Sequence, residues 1–250
     1  MRVPATRGSP RIVAVEGIAG VGKTTASRAL ARALRAVWLK EATARIRPPP
    51  DLRVTEPSGL LTLERRLVAE EVRRYRTAVA DRRRGRSTVA DTGFLGPFTY
   101  ATAWATIDPR MDARPALRRL AAVRLRTQGV GVADLHLVLT LPVTSRRRRR
   151  RGDPRRDPDL DDRHDRIGRV EMRLWRRLAR GPLRGRVRFV SAAGRPGSVA
   201  SRIISVVHAH PLREAPPFRV SDLVAALFEK PAGPRPGRRG RRAMSRPAKP

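Results

Sequence analysis

The 250-residue chain has no cysteine, so it carries no disulfide framework and no thiolate metal site. That absence fits a reducing compartment. No apolar run approaches the roughly 20 residues that span a bilayer. Met1 to Arg11 contains no apolar stretch of the kind a signal peptide needs. Together these absences lead us to expect a cytoplasmic protein with no membrane partner. Acidic residues are scarce, 22 against 56 basic ones, which gives a formal net charge of +34. Lysine is scarcer still: Lys23, Lys40, Lys230 and Lys249 are the only four. A strong positive field attracts polyanions, whether nucleotides or nucleic acids. Near-total reliance on arginine fits a coding bias combined with attraction for an anionic substrate better than it fits a dedicated nucleic-acid surface. A nucleic-acid partner held by the basic surface stays open at this point.

With 40% hydrophobic residues the chain has enough apolar surface for one α/β domain with a buried core. Five short β-branched or apolar runs alternate with helical patterns: Arg11–Glu16, Ala36–Glu41, Ser87–Asp91, Asp134–Leu141 and Arg186–Ser191. Such alternation predicts a parallel sheet with right-handed crossovers and helices on both faces. One helical stripe runs from Lys23 through Ala26, Leu30, Ala33, Leu34, Val37 and Trp38. Another holds Ile167, Val170, Leu174, Trp175 and Leu178, and both stripes read as core. Four prolines between Arg47 and Pro57 mark a loop, followed by a charged helix at about Leu61–Arg83. The spacing divides the chain into an N-terminal tail (1–10), one domain (11–212), a short C-terminal helix or extension (213–228) and a disordered basic tail (229–250). The tail is rich in Pro, Gly and Arg and cannot bury enough apolar surface to order itself. No internal repeat is present.

The segment Gly17-Ile18-Ala19-Gly20-Val21-Gly22-Lys23-Thr24 matches G-x-x-x-x-G-K-[ST], the P-loop, without a mismatch. A β-branched strand enters it and an amphipathic helix leaves it, the context this motif requires. Glycines let the backbone wrap so that successive N–H groups face phosphate oxygens. The helix N-terminus adds partial positive charge. Lys23 is expected to bridge β- and γ-phosphates, Thr24 to ligate Mg²⁺, and Thr25 to extend the nucleotide contact. ATP and Mg²⁺ are therefore the expected cofactors, on Gly17 through Thr25.

Val15-Glu16-Gly17, which opens this loop, resembles the V/I-E-G start of thymidylate kinases and deoxynucleoside kinases, and the resemblance extends over most of residues 11–210. It implies a three-layer P-loop sandwich with a five-stranded parallel sheet of order 2-3-1-4-5 and an arginine-rich lid. It also implies an ATP-dependent phosphotransferase acting on a nucleoside, nucleotide or similar small acceptor. Members of this group are often dimers, so a homodimer is within the expectation.

Site residues carry over as follows. Glu41 closes the second strand 18 residues after Lys23, at the spacing where these kinases place the general base. Glu56, in Thr55-Glu56-Pro57-Ser58-Gly59, resembles an alternative acid on an R-E-P-G-G turn, but its 33-residue distance from Lys23 is long for the family. Glu41 is preferred, with Glu56 left as its competitor. Asp91 ends the third strand and is placed like the acid that serves metal and acceptor. The next residue departs from the pattern, because Thr92 stands where arginine is usual, and a monophosphate acceptor such as dTMP comes into question. Arg146–Arg151, six consecutive arginines, fall in the region of the lid at about 144–165. Register against R-x-x-x-R-G selects Arg147 and Arg151 as the catalytic guanidiniums, with Gly152 as the turn. Phe94, Phe98, Tyr100 and Trp104 follow Asp91 as core or as an aromatic acceptor wall. Arg73 and Arg74 lie where an anionic acceptor would be steered, and Ala192–Gly197 where adenine would lie. Two other readings compete: an antibiotic-type small-molecule kinase on the same scaffold, and a nucleic-acid-associated P-loop ATPase.

Overall fold

A computed structural model describes residues 9–48, 54–127, 129–151, 158–210 and 217–228. The expected tail at 229–250, Gly152 and most of the N-terminal tail lie outside them. Five strands form one parallel sheet: β1 (Ile12–Glu16), β2 (Val37–Leu39), β3 (Thr88–Asp91), β4 (Leu135–Thr140) and β5 (Val187–Ser191). Their order is β2-β3-β1-β4-β5, as expected. The central strand β1 is buried along its whole length, which is why it reads Ile-Val-Ala-Val-Glu rather than alternating with polar residues. Val13 pairs with Val89 on one side and Leu135 on the other.

Alternate residues of each strand feed opposite faces. Val13, Val15, Leu137 and Leu139 pack against α1 (Lys23–Leu34) and α7 (Pro196–Ala209), through Leu30, Ile203 and Val207. Ile12, Ala14 and Ala90 pack on the other face with Val72 of α2 (Pro57–Arg83) and with Phe94. The largest cluster lies on that second side. It joins Phe98 and Trp104 of α3 (Gly96–Ile107), Leu117 of α4 (Arg114–Arg126), Trp175 of α6 (Pro158–Arg180) and Leu227 of α8 (Val220–Phe228). The short arginine-rich helix α5 (Val143–Arg150), in the region expected as a lid, follows β4.

Two expected boundaries shift for identifiable reasons. The α1 stripe does not run on to Val37 and Trp38: Arg35 turns left-handed (φ 49°) and closes the helix, and those two residues enter β2. In turn, α2 begins at Pro57 rather than Leu61, because proline is tolerated in the first turn, where its missing N–H has no helical partner. The Glu56-Pro57 segment expected as a turn is therefore a helix start, with Glu56 exposed at the N-cap.

Arg74, expected to steer an acceptor, instead is fully buried on α2. Its Nη1 donates to both oxygens of Glu71 at 2.6 and 2.5 Å. Its Nη2 donates to the carbonyls of Asp91 and Thr92, both at 2.9 Å. A guanidinium has donors enough for all four contacts, so one side chain fixes α2 to the end of β3. Removing it leaves the Glu71 carboxylate buried without its counter-charge. Arg74→Ala is therefore expected to lower the free energy of unfolding by about 3–5 kcal/mol in urea titration. Burial pushes the Glu71 carboxyl up to about 8, so part of that loss should return as pH falls below about 8 and Glu71 takes up a proton.

Candidate active site

The P-loop leaves the carboxyl end of β1 and wraps back to start α1. Gly17 has φ 132°, and a Cβ there would sit 2.8 Å from the Leu139 carbonyl. Gly22, with φ 98°, opens α1, so its left-handed turn aims the first helical amides into the loop. The loop forms one end of a cavity of about 530 Å³. Gly17, Ile18, Ala19, Gly20, Gly22, Lys23, Thr24 and Thr25 all line it, while Val21 is turned into the core. Across the cavity stand Glu41, Glu71, Thr92, Tyr100, Glu171 and Trp175.

Glu16 ties the strand ends together beneath this cavity. It is buried, accepts from the Gly93 amide at 3.0 Å, and accepts from Nδ1–H of His136 at 2.9 Å. A Cβ on Gly93 would overlap the Glu16 carboxylate, which is why glycine follows Thr92. Thr92 itself is left-handed (φ 65°), an uncommon state for a β-branched residue. The turn sends its hydroxyl to Glu41, where it donates to Oε1 at 3.3 Å. Glu41 thus lines the cavity with one oriented oxygen. Glu56, its competitor, is exposed, outside the cavity lining, and accepts from Ser58 at 3.3 Å.

Asp91 is buried with the Thr24 hydroxyl beside it, while its Oδ1 has no hydrogen-bond partner. Burial raises its pKa, opposed by Thr24, reinforced by the Glu41 charge and opposed again by Lys23 and Arg74. A threonine hydroxyl beside a carboxylate with an orphaned oxygen is a donor set that fits Mg²⁺. Among the described residues no three His, Asp or Glu side chains converge as a metal cage, so the fit is to an ion completed by other ligands.

The lid places its arginines differently from the register expected. Arg147 pairs with Asp165 at 2.6 Å and with Asp162, and Arg151 is exposed; neither lines the cavity. Arg146 is buried against Asp165 and donates to the Ala19 carbonyl at 3.4 Å. Arg149 donates to the carbonyls of Val21 (3.2 Å), Ala192 (2.8 Å) and Gly194 (3.0 Å), so it joins the P-loop to the segment expected to face adenine. Of the aromatic group, Phe94, Phe98 and Trp104 are core and Tyr100 alone reaches the cavity. Arg73 is exposed and pairs with Glu70 at 2.9 Å.

Sequence reasoning missed Glu171 and Glu71. The signal was present, because each acid interrupts an apolar stripe at helical spacing. Glu171 falls between Ile167 and Trp175, and Glu71 follows Leu60, Leu63 and Leu67. Burial pushes the Glu171 carboxyl up to about 7, against the pull of Lys23.

No protein-family model and no curated protein matches the chain. Solved structures do. Deoxyadenosine kinase from M. mycoides with bound dATP superposes with a TM-score of 0.61 at 11% identity, over 80% of this chain and 100% of that one. Thymidylate kinase from Candida albicans superposes with a TM-score of 0.59 at 12% identity, over 84% and 97%. The fold is that of the P-loop nucleoside and nucleotide kinases. At such low identity the likeness fixes the architecture and leaves the chemistry to the side chains just described. Among the described residues no helix is long and apolar enough to cross a membrane.

The raised Glu171 pKa sets a pH dependence. A carboxyl that holds its proton more tightly in the fold than in the unfolded chain contributes stability at pH below about 4.5 and loses it as pH rises through about 7. Glu64, also raised by burial, acts with the same sign. The urea midpoint should therefore decline between about pH 5 and pH 8, and Glu171→Gln should flatten that decline.

Proposed function

We propose that the chain is an ATP- and Mg²⁺-dependent phosphotransferase that moves a γ-phosphoryl group to the hydroxyl of a nucleoside or similar small acceptor, in the cytoplasm. One observation carries this reading: the P-loop and Glu41 open into the same cavity, with the Thr92 hydroxyl fixing Glu41. In this scheme the amides of Gly17–Thr24 and Lys23 hold the triphosphate. Thr24 and Asp91 would hold Mg²⁺, which when bound supplies charge neutralisation between phosphate oxygens.

Glu41 takes the proton of the acceptor hydroxyl as its oxygen bonds to the γ-phosphorus. The bond from that phosphorus to the β,γ-bridging oxygen breaks, and its electron pair leaves with ADP. Arg149 supplies the lid guanidinium, because it already reaches the end of the P-loop and lies beside Gly22. A planar, fully charged group there meets the charge that spreads over the equatorial oxygens. Closing the cavity over the reactants excludes water, which otherwise competes as acceptor.

Phosphoryl transfer from γ-labelled ATP to a panel of nucleosides and other small hydroxyl compounds tests this reading. Lys23→Ala is expected to remove both turnover and the heat stabilisation given by ATP and magnesium. Glu41→Gln should cut kcat by roughly 10²-fold while ATP binding persists. Arg149→Ala should reduce kcat at least about tenfold, and Arg151→Ala should leave it within about twofold. Full activity in Glu41→Gln removes the base assignment. Hydrolysis of ATP stimulated by nucleic acid, with no acceptor phosphorylated, removes the kinase reading itself.

A further inference from the structure

Acid is rare in this chain, 22 residues of 250, yet six acidic side chains gather at this one cavity. Glu16, Glu41, Glu71 and Glu171 line it. Asp91 lies under Thr24, and Glu64 stands behind the wall, close enough to raise the pKa values of Tyr100 and to be raised by Glu171. Among the described residues the only lysine or arginine lining the cavity is Lys23. Nearby arginines serve other places: Arg74 holds Glu71 and the end of β3, Arg149 stands at the P-loop where it would serve the transferring phosphoryl group, and Arg163 lies over the face of Trp104.

Four of the six acids have a local account. Glu16 anchors strand ends, Glu41 meets Thr92, Glu71 meets Arg74, and Asp91 meets Thr24. Glu171 and Glu64 do not. Glu171 faces Lys23 and the Thr99 hydroxyl, but a P-loop lysine engages phosphates when the triphosphate is held. Glu64 is fully buried, and neither carboxyl oxygen has a hydrogen-bond partner. A buried carboxyl left without partners is costly and calls for an explanation in function. Tyr100 and Trp175 flank the same wall, and aromatic faces attract cations.

We propose that the acceptor is a hydroxyl-bearing amine, bound with its hydroxyl at Glu41 and its ammonium at Glu171, with Glu64 behind it, and not a nucleoside monophosphate. This rests on the kinase reading of the cavity and names its substrate class. A monophosphate would meet four acids in the cavity lining and, among the described residues there, no basic lysine or arginine but Lys23. An ammonium meets the opposite charge it needs at Glu171 once Lys23 is engaged by phosphates. Transfer then proceeds as above: the hydroxyl oxygen bonds to the γ-phosphorus, the bridging bond breaks, its electron pair leaves on ADP and the proton passes to Glu41. The ammonium takes no part in bond making. The groups that face Glu171 are Lys23 of α1, Glu16 of β1, Glu41 after β2, Glu64 of α2, and Thr99 and Tyr100 of α3. An added cation favours the ionised form of Glu171, so binding near neutral pH should release a proton.

Matched probes test this, each measured with the full chain in ADP and magnesium by heat stabilisation and with labelled ATP by turnover. The pairs are glucosamine against glucose, 2-deoxystreptamine against an inositol, and thymidine against dTMP. At least one amine is expected to bind about tenfold or more tightly than its neutral counterpart, and dTMP no better than thymidine. Glu171→Gln should bring the amine-to-neutral ratio to within about threefold, and Glu171→Asp should preserve it. Should Glu171→Gln fail to unfold cooperatively, Glu64→Gln is read instead, with a smaller fall in the same ratio. Amines that bind no better than their neutral partners, a preference for dTMP, or a ratio indifferent to both substitutions overturns the proposal. Efficient phosphorylation of thymidine or dTMP would do so while leaving the kinase reading standing. A chain that neither binds nor turns over ATP would instead remove the kinase reading.

Discussion

Glu16 sits at the point where three strands and the nucleotide loop meet, and its carboxylate holds that junction. It closes β1, accepts from the amide after Thr92, and accepts from the His136 imidazole on β4. Both partners are buried, so each bond is made in a medium where a missing partner is costly. The position of Gly93 decides where Thr92 turns, and Thr92 decides where the Glu41 oxygen lies. A carboxylate with no direct part in phosphate binding thereby fixes the distance between the P-loop and the acid opposite it. Because the same glutamate precedes the first glycine of the loop, the strand end and the loop start cannot shift independently.

The charge of the molecule is divided in an unusual way. Arginine covers the exterior, and carboxylates line the concavity. The first draws anions toward the protein over distances set by screening. The second selects at contact, where each carboxylate without a counter-charge raises the cost of seating an anion. The loop amides and Lys23 offer an anion partners of the opposite sign, and Lys23 also acts on Glu171. One cavity thus combines anion-binding amides and a lysine with a wall rich in acids.

Contact between the lid region and the loop is closer than a basic run on a surface helix would need. Gly168 of α6 packs so near Ile18 that a Cβ there would overlap it. Arg146 and Arg149 add hydrogen bonds from α5 to the outer carbonyls of the loop. Helix α6, which carries both Gly168 and Glu171, is therefore fixed to the loop while it presents an acid to the cavity.

The sequence alone determined the P-loop, the existence of five strands and the order of elements, since these depend on local periodicity and on glycines at set positions. Asp91 does end β3 as expected, but β2 stops at Leu39, so Glu41 does not close that strand and instead caps the turn that follows it. The choice among six adjacent arginines was not legible, as every register of such a run looks the same until Asp165 and the loop carbonyls select particular members. Nor was the use of Arg74, whose charge suggested an anion on the sequence and whose burial committed it to Glu71 and β3. Glu64, Glu71 and Glu171 showed as breaks in apolar stripes, but which cavity they bordered depended on how α2 and α6 packed across the sheet. Only that packing brings acids from positions 41, 71 and 171 around one space, because charges far apart in the chain become neighbours only when the core has fixed their helices.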